Sequence, residues 1–137
     1  MQVIVDANPL ISIIIKPGKA IDLLFTEELE LFAPTLLIEE IQRNKEEIIK
    51  KSGLSEEEVN KFLKIILKRI KLILEEDFIN YREKAEDICP HKKDIIYFAL
   101  ALYLKCSIWS NEKKLKEQNY IKIYSTNEIM KLFNLIQ

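Results

Sequence analysis

Four carboxylates occupy places where a folded chain would gather them. Asp6 directly follows the β-branched run Val3-Ile4-Val5, and Glu112 comes just after the apolar pair Ile108-Trp109. Glu40 lies between Leu37 and Ile41 at helical spacing, and Asp94 opens the most apolar stretch of the chain, running from Ile95 to Leu104. An unpaired carboxylate is costly to bury, so acids set against apolar runs need a partner. Four oxygen donors meeting at one place repel each other unless a hard divalent cation sits among them. Taken singly, each acid also has an ordinary role. Asp6 could cap a turn, Glu40 could pair with a Lys or with Arg43, Asp94 could complement a helix dipole, and Glu112 could be an exposed first-turn acid. The order and spacing of the four together favour a metal site.

Positioning them requires strands that alternate with helices. Val3-Ile4-Val5 reads as a strand buried on both faces. Asn8-Pro9 reads as the N-cap and first residue of a short helix through Ile15, stopped by Lys16-Pro17-Gly18, with a second helix over 19–26. Leu31-Phe32-Ala33 is the next strand. Pro34-Thr35 opens a long helix to about Lys50, on which spacing turns Glu40 inward and leaves Glu39 in water. Ser52-Gly53 breaks that helix, and Ser55 with Glu58 forms a capping box for another that ends near Arg69, so that the two make a helical hairpin arm. A third strand at Leu72-Ile73-Leu74 precedes a helix around 78–87, a turn at Cys89-Pro90 and an apolar helix from about Lys92 to Leu104. Ser107-Ile108-Trp109, a short helix over 112–117, a strand over 121–124 and a helix over 126–133 complete the chain. The alternation implies an α/β fold with a parallel sheet of four to five strands covered on both faces. In such sheets ligands bind beyond the carboxyl ends of the strands, where the strand order reverses.

The length of 137 residues fits a single domain. Cys89 and Cys106 lack the paired spacing of a zinc site or a disulfide framework, so a reducing, cytoplasmic setting is expected. Asp6 and Pro9 interrupt the N-terminal apolar run, which therefore does not read as a secretory signal. The run from Ile95 to Leu104 is about half of the ~20 residues that a membrane helix needs. A soluble protein without membrane association is expected.

The acids and their contexts resemble the PIN domain family of nucleases. The matching pieces are Val3-Ile4-Val5-Asp6-Ala7-Asn8, Pro34-Thr35-Leu36-Leu37-Ile38-Glu39-Glu40-Ile41, Lys93-Asp94-Ile95-Ile96-Tyr97-Phe98-Ala99-Leu100-Ala101-Leu102, and Ile108-Trp109-Ser110-Asn111-Glu112-Lys113-Lys114-Leu115. The resemblance covers nearly the whole chain. It implies a doubly wound, three-layer α/β/α sandwich, dependence on Mg²⁺ or Mn²⁺ and, commonly, endoribonuclease activity. Many members are VapC-like toxins held inactive by a cognate antitoxin. By the resemblance Asp6, Glu40, Asp94 and Glu112 form the acidic metal site and act in catalysis, with Asn8 and Ser110 as polar support. The chain departs from the family pattern at Glu112, where Asp is usual, and at Lys114, where active members often carry a further acid.

Such a site is expected to direct a metal-activated water onto a phosphodiester of single-stranded RNA. The net charge of −1 means that any basic footprint is local. Lys92-Lys93 precede Asp94 and Lys113-Lys114 follow Glu112, which sets cations where phosphates would approach. Lys61, Lys64, Lys68 and Arg69 on the hairpin read as a solvated face. His91, the one histidine, reads as a turn residue, and Tyr97 and Tyr103 read as core edge. Two rival readings are a degenerate PIN-like domain that binds RNA or a protein partner without cleavage, and a metal hydrolase of small phosphoesters. The hairpin's apolar residues would also suit a homodimer.

Overall fold

A computed structural model describes residues 1–137. Five strands form one all-parallel sheet: β1 (Gln2–Val5), β2 (Glu30–Pro34), β3 (Ile70–Ile73), β4 (Ser107–Trp109) and β5 (Ile123–Tyr124). Their order is β3-β2-β1-β4-β5. From the central β1 the chain winds outward through β2 and β3, then returns to β4 on the other side and winds outward again. The strand order therefore reverses between β1 and β4, where Val5 pairs with Trp109. The carboxyl ends of these two strands define the crevice in which such sheets bind ligands.

Alternation along β1 splits the core into two. Val3 and Val5 face one side with α1 (Ala7–Ile15), α2 (Ile21–Leu24), α3 (Leu36–Arg43), α4 (Lys45–Ser52), α5 (Glu56–Leu67) and α8 (Thr126–Leu132). Ile4 faces the other side with α6 (Arg82–Ile88) and α7 (Ile95–Leu104). The result is a three-layer α/β/α sandwich. Helix α7 is apolar almost all round, which requires burial on most sides, and Tyr97 through Ala101 are all buried.

Several boundaries differ from the sequence expectation. Helix α1 is capped by Asp6 rather than Asn8, its carboxylate accepting from the Ala7 N–H at 2.8 Å. Pro9 falls in the first turn, where helix N–H groups have no intrahelical partner, so it loses nothing there. The long helix expected to reach Lys50 divides at Asn44, whose side chain donates to the Glu40 carbonyl at 2.8 Å. The third strand starts two residues early, at Ile70. The helix expected around 78–87 begins with single 3₁₀ turns, and α7 is preceded by another over Lys92–Asp94.

The hairpin of α4 and α5 lies folded onto the sandwich, with Ile48, Val59, Leu63 and Ile66 buried in the first core. Gly53 closes α4 in the left-handed region at φ 74°, and the capping box of Ser55 and Glu58 opens α5. A Cβ at position 53 would meet nothing within 4 Å. The Gly53→Ala variant is therefore expected to lose only the left-handed backbone cost of about 1–2 kcal/mol, read as a lower urea midpoint with an unchanged slope.

Candidate functional site

The site begins with Asp6, the residue after β1. Its backbone N–H continues the sheet ladder to the Trp109 carbonyl at 2.9 Å, which holds it beside the end of β4. One carboxylate oxygen caps α1, and the other accepts from the Ser110 hydroxyl at 2.9 Å. Asp6 and Ser110 are both buried. The Ser110 oxygen accepts in turn from the Glu112 N–H at 3.1 Å, tying the loop after β4 to the acid after β1. Asn8 accepts from the Asn111 N–H at 3.3 Å, and the Asn111 side chain accepts from the Thr126 N–H at 2.9 Å. One polar network thus fixes α1, the β4 loop and α8 around Asp6.

Glu40 and Asp94 arrive from opposite helical layers. Glu40 projects from α3 between the buried Leu37 and Ile41 and accepts a 2.5 Å hydrogen bond from the Tyr97 hydroxyl of α7. Asp94 precedes α7 and is 3% exposed, yet it makes no capping bond of its own. Its Oδ2 is buried without a hydrogen-bond partner. Asp6, Glu40, Asp94 and Lys93 line one cleft of about 360 Å³, with Asn8, Asn44, Glu47 and Lys51 along its length. As placed, no three His, Cys, Asp or Glu side chains are drawn closely enough together to hold a metal ion.

The electrostatics follow from this crowding. Burial pushes the Asp94 carboxyl up to about 7, and the charges of Asp6, Glu40 and Glu112 add to the shift while Lys93 opposes it. Burial also raises Asp6, against hydrogen bonds from Ser110 and Ala7 and the charge of Lys93. Glu40 is raised by burial and by Asp6, against its bond from Tyr97 and the charges of Arg43 and Lys93. Each acid is thus less stable as an anion than in water, and Lys93 is the positive charge that all three feel.

A family model described as PIN domain matches residues 4–130. The chain belongs to the PIN domain family. No curated protein matches it. PIN domains have a nuclease-type fold, generally use divalent metal ions and generally bind RNA. No helix of this PIN domain is long and apolar enough to cross a membrane.

The PIN domain brings three of the four sequence-singled acids, Asp6, Glu40 and Asp94, to one cleft. Glu112 is half-buried and does not line that cleft, although its charge is felt by Asp6 and Asp94. Of the four lysines, Lys93 lines the cleft, whereas Lys92, Lys113 and Lys114 are exposed away from its wall. Arg69, read as part of a solvated face, donates to the Leu24 carbonyl at 2.9 Å and so fastens the end of α5 to α2. Tyr97 had no functional reading in the sequence, because a tyrosine in an apolar helix looks like core. The signal was its place one turn after Asp94, on the same face of α7.

The sign of the pH dependence is set by Asp94. Between its ordinary value of 3.8 and about 7 the folded chain keeps a proton that the unfolded chain has released. This contribution to stability is fully present below 3.8 and is lost as pH rises through about 7. Asp6 and Glu40 act in the same direction, while Glu128, held near 2 chiefly by its hydrogen bond from Lys116, acts oppositely below pH 4.5. In chelating buffer the melting temperature is expected to fall between pH 5 and 8, and Asp94→Asn should raise it at pH 8 and flatten the decline, as checked by calorimetry.

Proposed function

We propose that this chain is a metal-dependent endoribonuclease that cleaves phosphodiesters of single-stranded RNA, with Asp6, Glu40 and Asp94 as the acidic metal and catalytic residues and Glu112 joining them from the β4 loop. The observation that carries the reading is the meeting of Asp6, Glu40, Asp94 and Lys93 in one cleft at the strand-order reversal. The donor set fits a hard cation. All its donors are carboxylate oxygens, and each is destabilised as an anion. Mg²⁺ ordinarily keeps several waters and is held by one or two carboxylates together with substrate phosphates, so a site without three converged protein ligands suits it.

A bound Mg²⁺ or Mn²⁺ would supply an activated water and polarise the phosphate. The chain's own residues do the rest. Asp6 and Asp94 would hold the cation, and Ser110 keeps Asp6 from rotating. Glu40, held by Tyr97 and raised in proton affinity, would offer a further oxygen to the cation or take a proton. Lys93 supplies positive charge where a phosphate would enter. Under this reading the whole chain is one PIN domain working as the toxin of a toxin–antitoxin pair, with an antitoxin protein as its partner. A homodimer through the hairpin would be compatible with it.

The expected result is RNA cleavage with Mn²⁺ or Mg²⁺ and none in chelator. Asp6→Asn and Asp94→Asn should each lower the rate by on the order of 10³, about 4 kcal/mol of transition-state stabilisation. Both variants should stay folded, since Asn caps a helix as well as Asp at position 6 and Asp94 makes no capping bond to lose. Full activity in either variant contradicts the mechanism.

One observation favours the degenerate reading: Glu112 stands off the cleft and replaces the usual shorter Asp. Cleavage and Mn²⁺ affinity across wild type, Glu112→Asp and Glu112→Gln separate the two. An active nuclease keeps or gains activity in Glu112→Asp and loses it in Glu112→Gln. A degenerate domain shows little cleavage in wild type and gains it in Glu112→Asp, while equal values throughout would remove Glu112 from the site.

A further inference from the structure

Two buried side-chain polar atoms lack hydrogen-bond partners, His91 Nδ1 and Asp94 Oδ2, and they lie 4.0 Å apart. From this we infer that His91 is a positioning residue for Asp94. Its Nδ1–H donates to Oδ2, fixing the carboxylate's rotation so that the other oxygen is presented to a cation in the cleft. The inference rests on the proposed role of Asp94 as a cation ligand.

The local backbone makes the pair. His91 is the extended residue just before the 3₁₀ turn of Lys92–Asp94, and the turn folds back so that its ring comes within 4.0 Å of the Asp94 carboxylate. The His91 carbonyl accepts from the Asp94 N–H at 3.0 Å and from the Cys89 thiol at 3.1 Å, which anchors the loop that carries the ring. Asp94 spends neither oxygen on capping α7, so Oδ2 is free for this contact. The present separation of 4.0 Å is about 1 Å beyond an N–H···O bond and too short for a water in line between the two atoms. A small side-chain rotation closes it and satisfies both atoms, as buried polar groups generally require. Hydrogen bonds of this kind orient metal ligands, and their loss typically weakens metal binding by about 10–100-fold.

His91 is the chain's one histidine, so its ring signals in a ¹⁵N NMR spectrum are unambiguous. At pH 8 in chelator the expected result is the Nδ1–H tautomer in wild type and a shift toward Nε2–H in Asp94→Ala. Mn²⁺ titration of the same proteins gives the second readout. His91→Ala should bind Mn²⁺ about tenfold more weakly, whereas His91→Asn, whose Nδ2 hangs from Cγ as Nδ1 does, should stay within about threefold of wild type. An Nε2–H tautomer in wild type, equal Mn²⁺ affinity in wild type and His91→Ala, or equal losses in His91→Ala and His91→Asn would each overturn the assignment. An Nδ1–H tautomer in a wild type that binds no Mn²⁺ would overturn the cation role of Asp94 and the positioning role with it, while supporting the hydrogen bond itself.

Discussion

Keeping Asp6 and Asp94 out of water at the open end of a parallel sheet is the constraint on which the rest of the site depends. A buried carboxylate survives only if its oxygens are hydrogen-bonded or its charge is matched. Asp6 meets the first condition completely, by joining β1, α1 and β4 through the Ala7 N–H and the Ser110 hydroxyl. Asp94 meets neither, and its proton affinity rises accordingly. Between the two lies a gradient from a satisfied structural acid to a frustrated one.

The link from Tyr97 to Glu40 adds a second constraint. Leu37 and Ile41 of α3 belong to the core on one side of the sheet, and Tyr97 of α7 belongs to the core on the other. Glu40 lies between Leu37 and Ile41 yet bonds to Tyr97, and Leu36 of the same helix packs against the second core. The Tyr97–Glu40 bond therefore clamps the two helical layers together across the mouth of the cleft. Stability and site geometry share this contact, and a change in one layer is carried to the acid of the other.

Much of this architecture was legible in the residues. Continuous β-branched strands, the Ser55–Glu58 capping box and Gly53 named their elements because each depends on neighbours in sequence. Glu40's inward turn followed from helical spacing alone. What escaped turns on particular side-chain bonds that residue spacing does not announce. The cap at Asp6 was hidden by Asn8-Pro9, which mimics a helix start two residues too late. The break at Asn44 carries no Gly or Pro and arises from a side-chain bond to the preceding turn. Tyr97 looked like core because its partner Glu40, distant in sequence, meets it only when the layers close.

The most direct test is anomalous diffraction from crystals of the wild-type chain soaked in Mn²⁺ at pH 8. The account predicts a single strong peak or a close pair in the cleft between Asp6 and Asp94, with carboxylate oxygens at about 2.0–2.2 Å and the remaining positions filled by water. No peak in the cleft, with Mn²⁺ bound elsewhere on the same crystals, would contradict it.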